Sequence, residues 1–362
     1  MTSSSPAKSL GARRWVPLIA LAAVALVCLA LPQVLSSYWT DTITTWIPLA
    51  VAALGLNLLT GYNGQISVGH GALFGVGAYT TALILNEWHW PFLVTVVASA
   101  VVCFVAGVVI GLPALRIKGL YLALVTLAVA TLFPQILEQF SDTTGGSAGL
   151  GITNRELNRR GVMTDRSIRF EPPDLALLSA DDAKASSQWR YYIFLLVAAI
   201  CFLLVRNLVN SRAGRSIIAI RDNETAAEVS GVNVAAAKVF TFGISAALAG
   251  IGGSLSALEL ARVSSGTFTL VLSLNLLVAV VVGGTPSIAG PAIGAVFLGF
   301  FTNVITPEFP EDVKPLTPLI LGVLLVVLML AAPGGIVGMY RQLQARLAAR
   351  RAISQTAISQ VP

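Results

Sequence analysis

His70 is the one titratable side chain in the core of a long apolar run, and its neighbours are polar without being charged. Gln65 and Ser67 precede it in Gly64-Gln-Ile-Ser-Val-Gly-His70, and Asn57 lies upstream. Ser287 sits in a second glycine-rich stretch, Gly283-Gly-Thr-Pro-Ser-Ile-Ala-Gly-Pro291. Such side chains can line a path for a polar solute, or they can tie helices together by hydrogen bonds. A lone histidine in a glycine-rich segment is more often packed and hydrogen-bonded than used as a proton relay. The rest of the chain offers little to catalysis. Cys28, Cys103 and Cys201 stand singly in apolar runs, where a thiol behaves as a small hydrophobe, and their spacing fits neither a metal site nor a disulfide framework. No G-x-x-x-x-G-K-[ST] loop is present to cradle ATP. The expectation is no catalytic residue, no metal ligand and no cofactor on this chain.

A second group of functional candidates lies in Ser211-Arg-Ala-Gly-Arg-Ser-Ile-Ile-Ala-Ile-Arg-Asp-Asn-Glu224, which continues to Gly231. Asp222 or Asn223 suits a helix N-cap, and Glu224 in the first turn complements the helix dipole. Gly231 suits the left-handed position that closes a helix. A short helix over 225–230, bracketed by Arg215, Arg221, Glu224 and Glu228, is predicted. It is either a solvated connection or a surface that docks on another protein.

The elements that hold these residues follow from composition. Of the 362 residues, 56 % are hydrophobic and 11 % charged, well below the roughly 25 % charged of a soluble domain. The mean hydropathy is +0.81. A disordered chain, a nucleic-acid-binding protein and an ordinary soluble enzyme are excluded, and an all-α polytopic membrane protein is expected. Ten spans are read, at about 15–35, 42–60, 66–85, 93–113, 119–137, 190–206, 238–258, 269–284, 290–306 and 315–332. The glycine-rich stretches 61–75 and 283–294 are expected to be broken or re-entrant. The first run is too long for a signal-peptide core and lacks a small-residue cleavage site, so it is read as a retained span.

Ten spans place both termini on one side. That side collects Lys8, Arg13, Arg14, Arg116, Lys118, Arg206, Arg212, Arg215, Arg221, Lys238, Arg341, Arg346, Arg350 and Arg351, against only Asp222, Glu224 and Glu228. The positive-inside rule makes it cytoplasmic and accounts for the net charge of +6 without an acidic partner. Trp15, Trp39, Trp88, Trp90 and Trp189 fall near span ends, where indole prefers the interface. The organisation read is a cytoplasmic tail 1–14, a transmembrane domain 15–339 and a basic tail 340–362. The domain includes an outer loop at 138–189 and a cytoplasmic segment at 207–237.

No acidic or basic side chain lies clearly inside a span, whereas ion-coupled carriers usually need one. Energy for transport would then come from an ATPase on another chain. The two glycine-rich stretches also align at an offset of 220: Gly64 with Gly284, Ser67 with Ser287, Val68 with Ile288, Ala72 with Ala292 and Leu73 with Ile293. Matched broken segments in two halves mark a transport path in some carriers, and small-residue packing faces produce the same likeness.

Four ordered motifs carry a resemblance. They are Gly55-Leu-Asn-Leu-Leu-Thr-Gly-Tyr-Asn-Gly-Gln-Ile-Ser-Val-Gly-His70, running on to Tyr79; Leu112-Pro-Ala-Leu-Arg-Ile-Lys-Gly-Leu-Tyr-Leu-Ala-Leu-Val-Thr-Leu127; Thr144-Gly-Gly-Ser147; and Gly214-Arg-Ser-Ile-Ile-Ala-Ile-Arg-Asp-Asn-Glu-Thr-Ala-Ala-Glu228, followed by Gly231-Val-Asn-Val234. Together they resemble the LivM-type membrane permeases of branched-chain amino acid ABC importers, over roughly residues 50–335. The stretch 283–291 departs from that pattern at Thr285-Pro286 and Ile288-Ala289, and the outer loop is long for it.

The resemblance implies a subunit of the bacterial inner membrane. Its partners would be a second permease of LivH type, two ATP-binding subunits carrying ATP and Mg, and an extracytoplasmic amino-acid-binding protein. It makes Arg215, Arg221, Asp222, Asn223, Glu224, Glu228 and Gly231 the ATPase-coupling set, and Asn57, Gln65, Ser67, His70 and Ser287 the pathway. A permease of the same superfamily for urea, a sugar or a nucleoside, and an ion-coupled carrier using His70, are the alternatives.

Overall fold

The computed structural model describes residues 26–88, 90–114, 120–157, 163–167, 182–260, 262–331 and 334–344. The tail 1–14, Trp15, Arg116, Lys118, much of the loop 138–189, and the last residues with Arg346, Arg350 and Arg351 lie outside them.

The described chain is mostly helical, with two short antiparallel ladders. The main helices are α1 (Ser37–Thr44), α2 (Trp46–Asn57), α3 (His70–Trp88), α4 (Phe92–Ala114), α5 (Leu120–Gln139), α6 (Asp182–Asn210), α7 (Arg212–Asp222), α8 (Glu224–Val229), α9 (Val234–Leu260), α10 (Leu270–Gly283), α11 (Gly290–Phe300) and α12 (Thr317–Ala331). The strands are β1 (Leu150–Gly151), β2 (Thr153–Leu157), β3 (Met163–Ser167) and β4 (Arg262–Val263). Leu150 pairs with Val263, and Thr153 pairs with Ser167. The loop 138–189 thus contains a hairpin that its polar composition did not suggest.

Among the described residues, eight helical stretches are long and apolar enough to cross a membrane: Ser37–Tyr62, Phe92–Pro113, Tyr121–Gln139, Lys184–Asn210, Val234–Leu260, Ser265–Gly283, Gly290–Glu308 and Lys314–Gln344. They match eight of the ten expected spans. The expected span 66–85 corresponds to α3, whose glycine and polar content dilute its hydropathy. The expected span 15–35 is described only from residue 26, and 26–34 is helical.

The chain forms two compact units. In the smaller, Met1–Thr44 with Arg169–Ile193, the first part of α6 holds the segment before α1. Tyr191 donates its hydroxyl to the Cys28 carbonyl at 2.9 Å, and Gln188 Nε2 donates to the Pro32 carbonyl at 2.9 Å. Arg190 pairs with Asp41 at 2.7 Å.

In the larger unit α9 is the hub, packed most extensively on α4, then on α3 and α2. Its sequence Gly243-Ile-Ser-Ala-Ala-Leu-Ala-Gly-Ile-Gly-Gly-Ser254 explains why, since small residues let helix backbones approach in a medium with no hydrophobic drive between helices. A Cβ on Gly253 would overlap the carbonyl oxygen of Phe74. Hydroxyls tie the same helices: Thr81 of α3 donates to Ser254 of α9 at 2.6 Å and lies 2.9 Å from Ser99 of α4, which donates to the Gly77 carbonyl. An apolar cluster of Val51, Leu54 and Leu58 with Ala198, Cys201, Val205, Ile217 and Leu248 joins α2, α6, α7 and α9. Val97, Val101, Val105 and Val109 form an exposed i, i+4 stripe on α4, as a lipid-facing helix requires.

Candidate functional site

Both glycine-rich stretches are breaks in helices. The α-helical ladder of α2 widens into a π-helical turn at Leu58–Tyr62, then stops. Gly64 turns the chain at φ +73°, and an irregular segment runs to the start of α3 at His70. In the second break α10 ends at Gly283, Gly284 takes φ +103°, the Thr285–Pro286 peptide is cis, and α11 starts at Gly290. Positive φ at Gly64 and Gly284 is inexpensive only for glycine. The offset of 220 that aligns the sequences also aligns these turns and the first residues of the two following helices. The likeness therefore extends to the backbone, and each stretch contains an interruption between two helices.

The two breaks touch. Asn57, fully buried, donates Nδ2 to the Ser287 carbonyl at 2.8 Å, and a Cβ on Gly61 would stand 3.3 Å from Cβ of Thr285. Ser287 contributes its backbone rather than its hydroxyl to this contact.

His70 and Ser67 belong to a closed hydrogen-bond chain. Ser245 Oγ donates to the Gly55 carbonyl at 2.5 Å, and a carbonyl can only accept. Ser245 Oγ therefore accepts from His70 Nε2 at 2.7 Å, which puts the ring proton on Nε2. Nδ1 is then an acceptor and receives the Ser67 hydroxyl at 3.0 Å. His70 is fully buried with both ring nitrogens hydrogen-bonded. The same segment is fixed by Thr126 Oγ1, which accepts from Val68 N at 3.0 Å, and by Ser273 Oγ, which accepts from Gly71 N at 2.9 Å.

Other polar groups in the first break lack partners. Asn57 Oδ1, both amide atoms of Asn63 and Gln65 Oε1 are buried with no hydrogen-bond partner. Buried polar atoms normally find a partner, which sets these apart from the hydrogen-bonded His70 and Ser67. Asn63 was missed in the sequence because Tyr62-Asn63-Gly64 reads as turn punctuation.

The coupling candidates divide. Asn223 caps α8 by accepting from Ala226 N at 3.0 Å, and Gly231 closes it at φ +85°, as expected from the sequence. Arg215, Asp222, Asn223, Glu228 and Gly231 are exposed. Glu224 instead pairs with Lys238 at the start of α9 at 2.9 Å. Arg221 is half-buried and donates Nη1 to the Gly61 carbonyl at 3.1 Å. α7, capped by Ser211, was not expected as a separate helix; it buries Gly214, Ile217 and Ile220. Val229 on α8 is 85 % exposed although apolar. Lys238 was read in the sequence only as a topology-setting charge; Val229 was unmarked, and so was Ser245, whose only signal was its place in the small-residue stripe of α9.

The Arg221 contact sets both breaks, joined by Asn57, at the end of the bundle that carries α7 and α8. At the opposite end, Asn86 Nδ2 donates to the Gly151 carbonyl at 2.9 Å, and Arg262 donates to the Ala148 carbonyl at 2.8 Å.

Comparison with known proteins agrees with this architecture. The LivM permease protein of the high-affinity branched-chain amino acid transport system of Salmonella typhimurium is 29 % identical over 334 residues, 89 % of this chain and 75 % of that protein. A probable branched-chain amino acid transport permease protein LivH of Methanocaldococcus jannaschii is 24 % identical over 304 residues, covering 80 % of this chain and 88 % of that one. The ribose import permease protein RbsC of Haemophilus influenzae is 34 % identical over only 122 residues, 32 % of this chain. No solved structure matches. The family model described as branched-chain amino acid transport system / permease component matches residues 38–332, and the chain belongs to that family.

Proposed function

We propose that this chain is the membrane-spanning subunit of an ATP-driven importer and forms part of the translocation pathway for branched-chain or related amino acids. The observation that carries the proposal is the meeting of two matched helix breaks in a member of the permease family, with uncharged buried polar atoms left open there. An amino acid zwitterion needs hydrogen-bond donors and acceptors along its path but no fixed charge when it is released quickly. Gln65 and Asn63 are the groups that meet it. Asn57 and Ser287 hold the breaks together, and Ser67 and His70 brace the start of α3. This role for His70 leaves the ion-coupled carrier without its proton site.

The energy comes from ATP and Mg on two partner ATPases. A LivH-type permease completes the membrane part, and an extracytoplasmic binding protein delivers the substrate. The α7–α8 end, with Arg206, Arg212, Arg215 and Arg341, faces the cytoplasm of the bacterial inner membrane, as do both termini. The α7–α8 segment docks on an ATPase through Val229 and the exposed Arg215, Asn223 and Glu228.

Purification of the tagged chain in mild detergent, with mass spectrometry of what accompanies it, is expected to recover two ATPases and a second permease. A chain that comes alone and stable refutes the importer. Val229→Asp places a charge in the docking face and is expected to cut ATPase recovery by about tenfold or more, since a charge buried without a partner costs several kcal/mol. Gln65→Ala leaves the backbone bond from Gln65 N to the Leu59 carbonyl intact, so folding is kept. Leucine uptake by that variant is expected to fall about tenfold, through a higher KM. Unchanged uptake removes Gln65 from the pathway. Uptake of urea, ribose or a nucleoside in place of leucine moves the substrate to another branch of the superfamily.

A further inference from the structure

The first break leaves one backbone group that the helix cannot satisfy. In an uninterrupted α-helix the Gly61 carbonyl would accept from Gln65 N. Gln65 N instead bonds the Leu59 carbonyl at 3.1 Å, because the π-helical turn and Gly64 close the helix early. Arg221 fills the vacancy with Nη1, while its Nε and Nη2 both bind Asp222 Oδ1, at 3.0 and 2.8 Å. Asp222 thereby fixes the guanidinium plane and aims the remaining nitrogen at Gly61. The fit is close on the other side too: a Cβ on Gly64 would stand 3.1 Å from Cγ of Arg221. Asn57, one turn before Gly61, holds the second break through Ser287. An unbroken series of contacts therefore runs from the end of α7, beside the exposed α8, through Arg221 to both breaks.

We propose that Arg221 is a positioning residue, a strut that moves the broken end of α2 when α7 and α8 move, and not a contact to the ATPase. The inference rests on the importer reading above. When nucleotide binding shifts α8, the guanidinium pulls or pushes the Gly61 carbonyl, and the Asn57 bridge carries the displacement to 284–289. The Glu224–Lys238 pair makes α8 and the start of α9 move together, so the pair does not fold away from the bundle.

The test uses the assembled complex with its ATPases. A single thiol is placed at Ile66→Cys, a half-exposed position in the first break, on a background without Cys28, Cys103 and Cys201. Its rate of maleimide labelling is measured with and without nucleotide trapped by vanadate. The expected result is a nucleotide-dependent change in rate with Arg221 present, reduced at least about tenfold in Arg221→Ala, the size of a lost charged hydrogen bond. Arg221→Lys, which keeps one donor in reach, is expected to restore part of it. Gly64→Ala, which crowds Arg221 and forces a positive φ on alanine, is expected to reproduce the alanine variant. In each variant the ATPases remain bound and ATP is still hydrolysed, so the ratio of transported leucine to ATP falls; a folding defect would lower both together. A nucleotide response that survives in Arg221→Ala overturns the strut, as does loss of the ATPases from that variant. A parent complex with no ATPase overturns the importer reading, and the strut with it.

Discussion

His70→Ala is expected to destabilise the purified chain by about 2–4 kcal/mol and to abolish uptake even where the protein still reaches the membrane. The loss has two parts. Two hydrogen bonds disappear, leaving the Ser67 and Ser245 hydroxyls facing an empty space. Interhelical hydrogen bonds in membrane proteins average only about 0.6 kcal/mol, so they are the smaller part. The larger part is the cavity left by a fully buried imidazole that lies beside the Phe242 ring. Ser245→Ala removes a hydroxyl without leaving a large hole, and its expected cost is about 1 kcal/mol. Thermal unfolding of the two variants in the same detergent checks the order. Equal costs would mean that hydrogen bonding dominates, and wild-type stability for His70→Ala would mean that the ring braces nothing.

Gly253→Val is expected to have the largest effect on folding, with little or no accumulation of the chain in the membrane. The added Cβ falls on the carbonyl oxygen of Phe74, which is helix backbone and cannot rotate away as a side chain would. On α3, Gly77 makes the reciprocal approach to Gly250 of α9, so the two helices cannot slide to make room. Overpacking against side chains costs about 1–3 kcal/mol, and a backbone overlap at the hub of the bundle exceeds that range. Gly322→Val, on the exposed side of α12 with nothing within 4 Å of a new Cβ, is the matched control and is expected to accumulate normally. Detergent-solubilised yield and size-exclusion profile measure both. Normal yield for Gly253→Val would show that α3 and α9 are not held in contact at this point.

The spans were legible because each is a local property of about twenty residues. α4 and α10 lie where unbroken apolar runs put them, whereas α6 begins at Asp182, inside the stretch 138–189 read as a loop. α8 was legible for the same reason, since Asn223 and Gly231 act on the turns next to them. α3 was read as beginning at residue 66, and it begins at His70. Hydropathy does not register that Ser67 and Gly69 stand in an unwound segment whose amides are taken by Thr126 and by Ser67 itself. The weak repeat was legible as a pattern, but small-residue packing was an equal account of it until the two turns were found at the same offset.

Four ordered motifs carried the resemblance to permeases. The sequence by itself determined that the chain crosses a membrane many times, that its interior carries almost no charge and that two of its stretches are rich in glycine. Those conclusions depend on residue type and near neighbours. Only the tertiary structure decided that the two interruptions touch, that His70 is locked between Ser67 and Ser245, and that Arg221 reaches the Gly61 carbonyl while Arg215 is exposed. Each of these depends on which backbone group a break leaves unpaired and which distant side chain packing brings to it. Asn57 meets Ser287 across 230 residues, and no local pattern encodes such a pairing.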